Sequence, residues 1–234
     1  HSQRFQLQLI HRCTGTLLGR SLCVPHHTPR LFEKYRPLLL WDAVDFLRNV
    51  VDVVTEAASK GRPVLVVVQT IRDGEAIAEA LKYAAMSLHT YLRDDHTNDK
   101  LLPNGNPAMR PGDVLISTNL LSRGVDIQLL GDVDQHGLHE IDTFISGSGR
   151  GDVQKEGRVA RNGRAGSYQR ILDLGSCEFV SLDERERRTM RNCYVSDPIA
   201  VEAELCRRRD VFERAQLLHA QEVVVPSNVE LDKE

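Results

Sequence analysis

The chain has 234 residues, of which 41% are hydrophobic and 27% are charged, and its formal net charge is −3. This composition excludes a disordered chain and suits one sizeable α/β domain with a smaller appendage. The slightly acidic balance gives no global attraction to nucleic acid or to an anionic membrane.

The cysteines and the first residues of the chain favour a reducing, intracellular compartment. Five cysteines occur in an odd number without any CxxC spacing, which argues against a disulfide framework or a zinc site. No apolar run approaches the length of a membrane span, and residues 1–10 contain neither a signal-peptide core nor an initiating Met. We therefore expect a cytoplasmic piece of a longer protein.

The first predicted elements form a strand–helix unit. Apolar residues recur at spacings of three and four over residues 41–59, which predicts an amphipathic helix. The aliphatic run Val64–Val68 is typical of a strand that is buried on both faces of a parallel sheet. Thr70 and Asp73 have the spacing of a capping box, so we expect a second helix directly after this strand.

The following elements repeat this alternation. Residues 93–112 are polar and contain prolines and glycines, which predicts a long surface loop. Further strands are predicted, with the first one short, at Leu22–Val24, Val114–Thr118, Leu138–Ile145 and Arg170–Leu174. Strands that alternate with helices predict an α/β fold with a doubly wound parallel sheet, in which ligands bind at the carboxyl ends of the strands.

The end of the chain has a different character. Asp197 is placed to cap a helix that Pro198 opens, because proline is favoured at the first helical position. Residues 176–234 are predicted to form a helical appendage with no chemistry of its own.

One segment of possible chemical importance follows the strand at Val114–Thr118. Arg123 could reach a phosphate, Gly124 would let the backbone approach a ligand, and Asp126 could bind a ribose hydroxyl or an arginine. Alone, this Arg-Gly-x-Asp sequence is more often a surface loop with an ion pair.

A second segment of this kind is basic. Between Arg150 and Arg170 there are six basic residues and two acidic ones. Arg158 and Arg161 are three residues apart and would share a face on a helix. Arginine suits phosphate because its planar fork binds two oxygens and keeps its charge. Alone, this segment is more often a solvated basic helix.

Several motifs, taken in order, resemble those of SecA, the motor ATPase of preprotein translocation, within the superfamily-two helicases. Each of the following segments is similar to a family motif: Cys13–Thr16 to Met-Thr-Gly-Thr, Val24–Arg30 to Val-Pro-Thr-Asn-Arg-Pro, Gly61–Val66 to Gly-x-Pro-Val-Leu-Val, Ser117–Ile127 to Ala-Thr-Asn-Met-Ala-Gly-Arg-Gly-Thr-Asp-Ile, Gly137–Thr143 to Gly-Leu-His-Val-Ile-Gly-Thr, and Gln154–Ser167 to Gln-Leu-Arg-Gly-Arg-Ser-Gly-Arg-Gln-Gly-Asp-Ala-Gly-Ser. The resemblance covers about residues 13–175.

The resemblance implies a domain division and a two-sided ATP site. Residues 41–175 would be the second RecA-like domain, residues 1–40 a remnant and linker from the preceding motor domain, and residues 176–234 the appendage. Arg158 and Arg161 would be arginine fingers on the phosphates. The remaining nucleotide-binding positions would be Arg123, Gly124, Asp126, Arg150 and Gln154.

The missing motifs imply that this chain supplies only one side of the site. It contains no GxxxxGK[ST] sequence and no Asp-Glu pair after a strand, so ATP and its Mg²⁺ would be held mainly by the preceding RecA-like domain. The chain alone would then be inactive. The resemblance also implies a polypeptide substrate and a membrane translocation channel as partners, with the chain cytoplasmic or peripheral to the membrane.

Departures from the family motifs leave two alternatives open. Glu156 stands where the family has Arg, Ala160 where it has Gly, Arg164 where it has Asp, and Ser146–Arg150 replaces His-Glu-Ser-Arg-Arg. These changes are compatible with a catalytically decayed scaffold or interaction module. The other alternative is the second domain of a nucleic-acid helicase, although few aromatic residues and the negative net charge argue against nucleic acid as a partner.

Overall fold

The computed structural model describes residues 31–84, 87–92, 108–118, 127–131, 137–160, 163–175 and 183–224, the last six of these for their backbone only. The described residues divide into two compact units. One lies within Leu22–Ile145 and Asp152–Cys177 and contains the sheet, and the other includes Ser146–Gly151 and the helices within Glu178–Glu234. The predicted strand at Leu22–Val24 lies outside the described residues.

The strands of the sheet unit are short. They are β1 (Leu31–Lys34), β2 (Leu38–Leu40), β3 (Val64–Val67), β4 (Leu88–Tyr91), β5 (Ala108–Met109), β6 (Val114–Ser117), β7 (Gln128–Leu129), β8 (Leu138–Asp142) and β9 (Ala165–Asp173). The helices of the chain are α1 (Ala43–Ser59), α2 (Ile71–Leu81), α3 (Gly149–Glu156), α4 (Glu184–Ser196) and α5 (Pro198–Val224).

The main sheet is parallel throughout. Its order is β1-β9-β8-β3-β6-β4, and β2 pairs with the second half of β9 on the side where β1 pairs with the first half. Strands β5 and β7 form a separate parallel pair. The prediction of an α/β fold with a parallel sheet and flanking helices is confirmed, and both predicted central strands lie inside the sheet.

The edge of the sheet at β1 and β2 uses residues that precede residue 41. Leu31 is in register with Ala165, and Leu38 is in register with Ile171. Strands β1 and β2 thus pair with the backbone groups of β9 that would otherwise lie free at the edge of the sheet. The boundaries that we predict for the domains stay a prediction.

The helix starts follow local chemistry. Asp42 caps α1 by accepting hydrogen bonds from the backbone nitrogens of Val44 and Asp45, at 2.8 and 3.2 Å. The predicted capping box is present at α2, where Thr70 and Asp73 each accept a hydrogen bond from the other's backbone nitrogen. Both helices therefore begin where a side chain satisfies otherwise free backbone donors.

The strand interiors alternate between two buried faces. Val64 and Val66 of β3 pack with residues of α1 and α2 in the larger core, and Leu65 and Val67 pack with Met109 and others on the opposite face. Because helices or loops cover both faces, the strand is apolar at every position rather than at alternate ones.

The structure refines one predicted loop and one predicted strand. The predicted loop over residues 93–112 contains β5, whose Met109 is 2% exposed, while residues 93–107 lie outside the described part. The predicted strand at Arg170–Leu174 is the end of a longer strand, β9, which begins at Ala165. Short apolar runs do not mark strand ends when polar residues are also buried.

The helical unit contains the predicted appendage helices. Asp197 accepts a hydrogen bond from the backbone nitrogen of Ala200 at 2.9 Å, and Pro198 opens α5 as predicted. Val201 and Leu205 are buried, whereas Phe212 is 47% exposed. Among the described residues, no helix is long and apolar enough to cross a membrane.

Candidate functional site

The carboxyl ends of β3, β6 and β8 meet at one edge of the sheet. The backbone nitrogen of Val68 donates to Ser117 at 2.8 Å, and that of Thr143 donates to Val67 at 3.0 Å. Both bonds continue the parallel ladders past the ends of the strands. The segments that follow these three strands therefore start side by side, as expected for the ligand-binding edge of a parallel sheet.

Only part of the predicted site falls within the described residues. Arg123, Gly124, Asp126 and Arg161 lie outside them, and their roles stay predictions. Arg150 and Gln154 are exposed on α3, whereas Arg158 is 7% exposed in the turn after that helix.

The structure corrects the helical geometry assumed for Arg158 and Arg161. Helix α3 ends at Glu156, and residues 157–160 form turns. Ala160 has a φ of 58°, a left-handed conformation that ends any helix and is costly for a residue with a side chain. The three-residue spacing therefore does not place the two arginines on one helical face.

A buried ionic cluster, which sequence reasoning missed, surrounds Arg158. Its members are the acids Glu140, Asp142 and Asp152, the bases Lys155, Arg158 and Arg170, and Tyr168. They come from β8, from α3 and the turn that follows it, and from β9. All seven are less than 10% exposed. Burial of this many charges is expected only where opposite charges meet.

Lys155 lies at the centre of the cluster. Its Nζ atom is 2.5 Å from Oδ2 of Asp142 and 3.7 Å from Oδ1 of Asp152. It also donates to the carbonyl oxygen of Phe144 at 3.4 Å and lies 4.0 Å from the centre of that ring. The ammonium group is thus surrounded by two carboxylates, a carbonyl and an aromatic face, which together replace its hydration.

Strand β9 completes the cluster through its register with β8. Tyr168 is opposite Glu140, and Arg170 is opposite Asp142. The Tyr168 hydroxyl donates to Oδ2 of Asp142 at 2.8 Å, and Arg170 lies 3.3 Å from Oδ1 of Asp152. Burial and the Asp142 charge raise the pKa of Tyr168 well above its usual range, so that its hydroxyl remains a donor.

Glu140 is the least compensated member. Its side chain is fully buried, and within the described part of the chain neither of its carboxyl oxygens accepts a hydrogen bond. Burial and the adjacent Asp142 charge raise its pKa well above the usual range, while the positive charges of Arg158 and Lys155 oppose that rise. Glu140 and Arg158 are therefore close enough for the positive charge of Arg158 to act on the carboxyl group.

The cluster had a signal in the sequence. The family motif that Gly137–Thr143 resembles has Val and Gly where this chain has Glu140 and Asp142, and the motif that Gln154–Ser167 resembles has Leu where it has Lys155. Residues two apart on a strand share a face. Glu140 and Asp142 lie on one face of the strand, and Lys155 replaces an apolar residue of the family motif. Together, these changes indicate that an acid of the strand pairs with the lysine.

The departures that we noted in the sequence also have structural partners. Glu156 forms an ion pair with Lys34 of β1 at 3.2 Å. Arg164 donates to the carbonyl oxygen of Leu129 at 3.2 Å. These two residues therefore connect the basic segment to other parts of the sheet unit.

A second polar network lies at the opposite end of β8. His139 Nδ1 is 2.7 Å from the Ser167 hydroxyl, which also accepts a hydrogen bond from Arg62 at 2.5 Å. Arg62 donates to the Tyr35 hydroxyl at 3.2 Å. Burial and, to a smaller extent, the Arg62 charge lower the pKa of His139 to about 4, against the opposing effect of Ser167. His139 is therefore neutral near pH 7, and its network is structural.

The parallel sheet with helices on its faces defines the chain as an α/β protein. Residues 41–143 match the family model described as the SecA P-loop domain. The chain therefore contains a SecA-like translocase motor domain, as the motifs predicted.

Sequence relatives agree with this family. The chain is 32% identical over 172 residues to protein translocase subunit SecA 2 of Lactobacillus johnsonii, a match that covers 72% of this chain and 21% of the relative. It is 35% identical over 163 residues to SecA 2 of Nitrosospira multiformis, with 68% and 23% covered. The chain thus spans about a fifth of the length of these curated relatives.

Two solved structures are similar to part of this chain at low identity. The DEAD-box protein SrmB of E. coli, in a crystal structure with regulator of ribonuclease activity A, is 19% identical, with 63% of this chain and 79% of that chain covered and a TM-score of 0.42. T4 UvsW is 13% identical, with 66% and 35% covered and the same TM-score.

Proposed function

We propose that this chain is the second half of a SecA-like ATP-driven protein translocation motor and that it completes the ATP site with arginine side chains. One observation carries the proposal: the chain matches the SecA motor family, yet its 234 residues contain no GxxxxGK[ST] loop. A motor that binds ATP needs such a phosphate cradle, so another domain must supply it.

The residue types that this chain contributes fit the closing side of such a site. Exposed Arg150 and Gln154 offer hydrogen-bond donors from α3. Arg161, five residues beyond the end of α3, is the proposed finger, and Arg123, Gly124 and Asp126 form the proposed second nucleotide-facing loop. When ATP is bound, its γ-phosphate develops charge during transfer to water, and arginine stabilises that charge.

Arg158 has a different proposed role. Its guanidinium lies in the interior beside Glu140, with both Nη atoms buried. A group in that position cannot touch a phosphate held by another domain. We therefore propose that Arg158 anchors the turn that leads to Arg161 and that Arg161 alone is the finger.

The described residues do not fit a role as the metal-binding side. No group of three or more His, Cys, Asp or Glu side chains in the described ranges could hold a metal ion. The acids of the buried cluster are turned towards cations of the protein. We propose that Mg²⁺ belongs to the preceding RecA-like domain.

The family also indicates partners. The relatives are named protein translocase subunits. We propose that the whole motor acts on a polypeptide at a membrane translocation channel, from the cytoplasmic side, and that the first partner of this chain is the preceding RecA-like domain.

The test uses the chain assembled with the P-loop-bearing half of a SecA motor. Arginine fingers contribute about 10³–10⁵ in rate, so Arg161→Ala should lower ATP turnover by at least about a thousandfold with little change in KM. Arg161→Lys should rescue poorly, because a point charge does not reproduce the fork. The matched control is Arg48→Ala, since Arg48 is an exposed arginine that pairs with Asp45 on α1.

A catalytically decayed scaffold is the alternative that one observation favours. Of the two expected arginine fingers, only Arg158 lies within the described residues, and its side chain is buried rather than exposed to a partner domain. For a scaffold, Arg161→Ala would leave turnover of the assembly at the control value, or the wild-type assembly would have no turnover above the P-loop half alone. Either result would overturn the proposed function.

A further inference from the structure

The pair Lys155–Asp142 joins two elements that the proposed function needs in a fixed relation. Lys155 lies in the last turn of α3, and Asp142 is the last residue of β8, whose end belongs to the ligand-binding edge. Their side chains are 1% and 0% exposed, and their charged atoms are 2.5 Å apart. The contact therefore sets the distance between the end of the helix and the edge of the sheet.

Net stability does not explain this pair. The cost of removing two charges from water is comparable to their attraction, so an apolar pair at such a site is often equally stable or more so. The related motifs have the uncharged residues Leu and Gly at these two positions. An ion pair differs from an apolar contact mainly in being directional, because the ammonium must stay in line with the carboxylate and with its other acceptors.

The turn that follows Lys155 also contacts β9, through Val159 and Ala160. The backbone nitrogen of Arg158 donates to the carbonyl of Lys155 at 3.0 Å, and Val159 is fully buried. The turn packs directly on β9, since a Cβ added to Gly166 would lie 2.7 Å from the backbone nitrogen of Ala160. The turn before Arg161 is thus held at both ends, by Lys155 and by the start of β9.

We propose that Lys155 and Asp142 are positioning residues that fix the turn 157–160 and thereby aim Arg161 at the phosphate held by the partner domain. This inference rests on the proposed function, because it assigns the pair a role through Arg161. Neither residue touches the nucleotide, since both side chains are fully enclosed by the protein.

The first test asks whether the pair is coupled in the 234-residue chain. Lys155→Met and Asp142→Asn each leave one buried charge without its main partner, and each should raise the unfolding equilibrium constant by at least about a hundredfold. The double variant should be more stable than the product of the two single effects predicts. Additive effects in urea unfolding would mean that the pair is not coupled and would overturn the proposal.

The second test separates positioning from stability. The variant Asp142→Gly, Lys155→Leu, Tyr168→Phe takes the apolar residues of the related motifs at the pair and removes the hydroxyl that would lose its acceptor. We expect it to be more stable than either single variant, because neither member of the pair is left as an unpaired buried charge. Hydrogen exchange in residues 157–167 should become about tenfold faster, while exchange in α1 stays unchanged. If residues 157–167 of the variant exchanged at the wild-type rate, or if α1 exchanged faster by the same factor, the proposed role would be contradicted.

The third test uses turnover in the assembly with the P-loop half. The triple variant should lower kcat about tenfold with an unchanged KM for ATP, because ATP binding precedes the alignment of Arg161. Wild-type kcat in the triple variant, together with a large loss in Arg161→Ala, would overturn the positioning role and leave the proposed function intact. Wild-type kcat in both variants would overturn the proposed function and, with it, this role of the pair.

Discussion

Strands β3 and β8 are neighbours in one sheet, and their interiors differ in kind. On one face, β3 presents Leu65 and Val67 to an apolar cluster that includes Leu115 of β6. On the same face, β8 presents Glu140 and Asp142 to the ionic cluster. The apolar part gains its stability from removal of surface from water and tolerates exchange of one aliphatic residue for another. The ionic part needs each partner in place, because a single removal leaves a buried charge.

Loss of one cation from the buried ionic cluster should reduce stability the most. Arg170→Met removes the cation that lies 3.3 Å from Asp152, whose carboxylate is 11% exposed. We expect a loss of about 3 kcal/mol in the free energy of unfolding, measured by urea denaturation at pH 7.5. A loss below about 1 kcal/mol would mean that the Asp152 charge is compensated without Arg170.

The second prediction concerns pH and the network at the other end of β8. Because the pKa of His139 falls from 6.5 to about 4 on folding, the unfolded chain binds more protons between these pH values. The contribution of His139 should therefore lower stability as pH decreases from about 6.5 to about 4, by about 3 kcal/mol in total. His139→Gln should flatten this part of the curve of unfolding free energy against pH. An unchanged slope in the variant would assign the effect to other groups.

A smaller effect is expected in the apolar part. Ile116→Val in β6 removes one methylene from a fully buried side chain and should cost about 1 kcal/mol. Since no charge is involved, the loss should be the same at pH 5 and at pH 8. A clear pH dependence would show that the two parts of the sheet are energetically coupled.

The smallest effect is expected where an ion pair is exposed. Glu204 of α5 accepts hydrogen bonds from Arg207 and Arg208, which lower its pKa to about 2, but its side chain is 34% exposed. Solvent screening reduces the value of such pairs, so Glu204→Gln should cost about 0.5 kcal/mol. The loss should also shrink in 1 M NaCl. A loss as large as that of Arg170→Met would contradict the view that burial decides the value of these contacts.

The amino-acid sequence was enough to predict the elements whose residues are uniform or follow a local rule. The aliphatic runs at Val64–Val67 and Val114–Ser117 predicted two central strands, because only a strand covered on both faces is apolar at every position. Thr70 with Asp73 and Asp197 with Pro198 marked two helix starts, since capping depends on neighbours in the chain. The ordered motifs also predicted the SecA-like motor domain, which the family match confirms.

The positions of the charged residues in the motor domain depend on contacts between distant parts of the chain. Glu140 and Asp142 read as polar interruptions in a strand until the register with β9 and the position of α3 surrounded them with Arg170, Tyr168 and Lys155. In the same way, the helix α3 ends at Glu156 and Arg158 is buried in the turn that follows it, although the spacing of the arginines suggested an exposed helical face. The physical reason is that a charge is buried or exposed according to partners that are distant in sequence, and no local pattern specifies those partners.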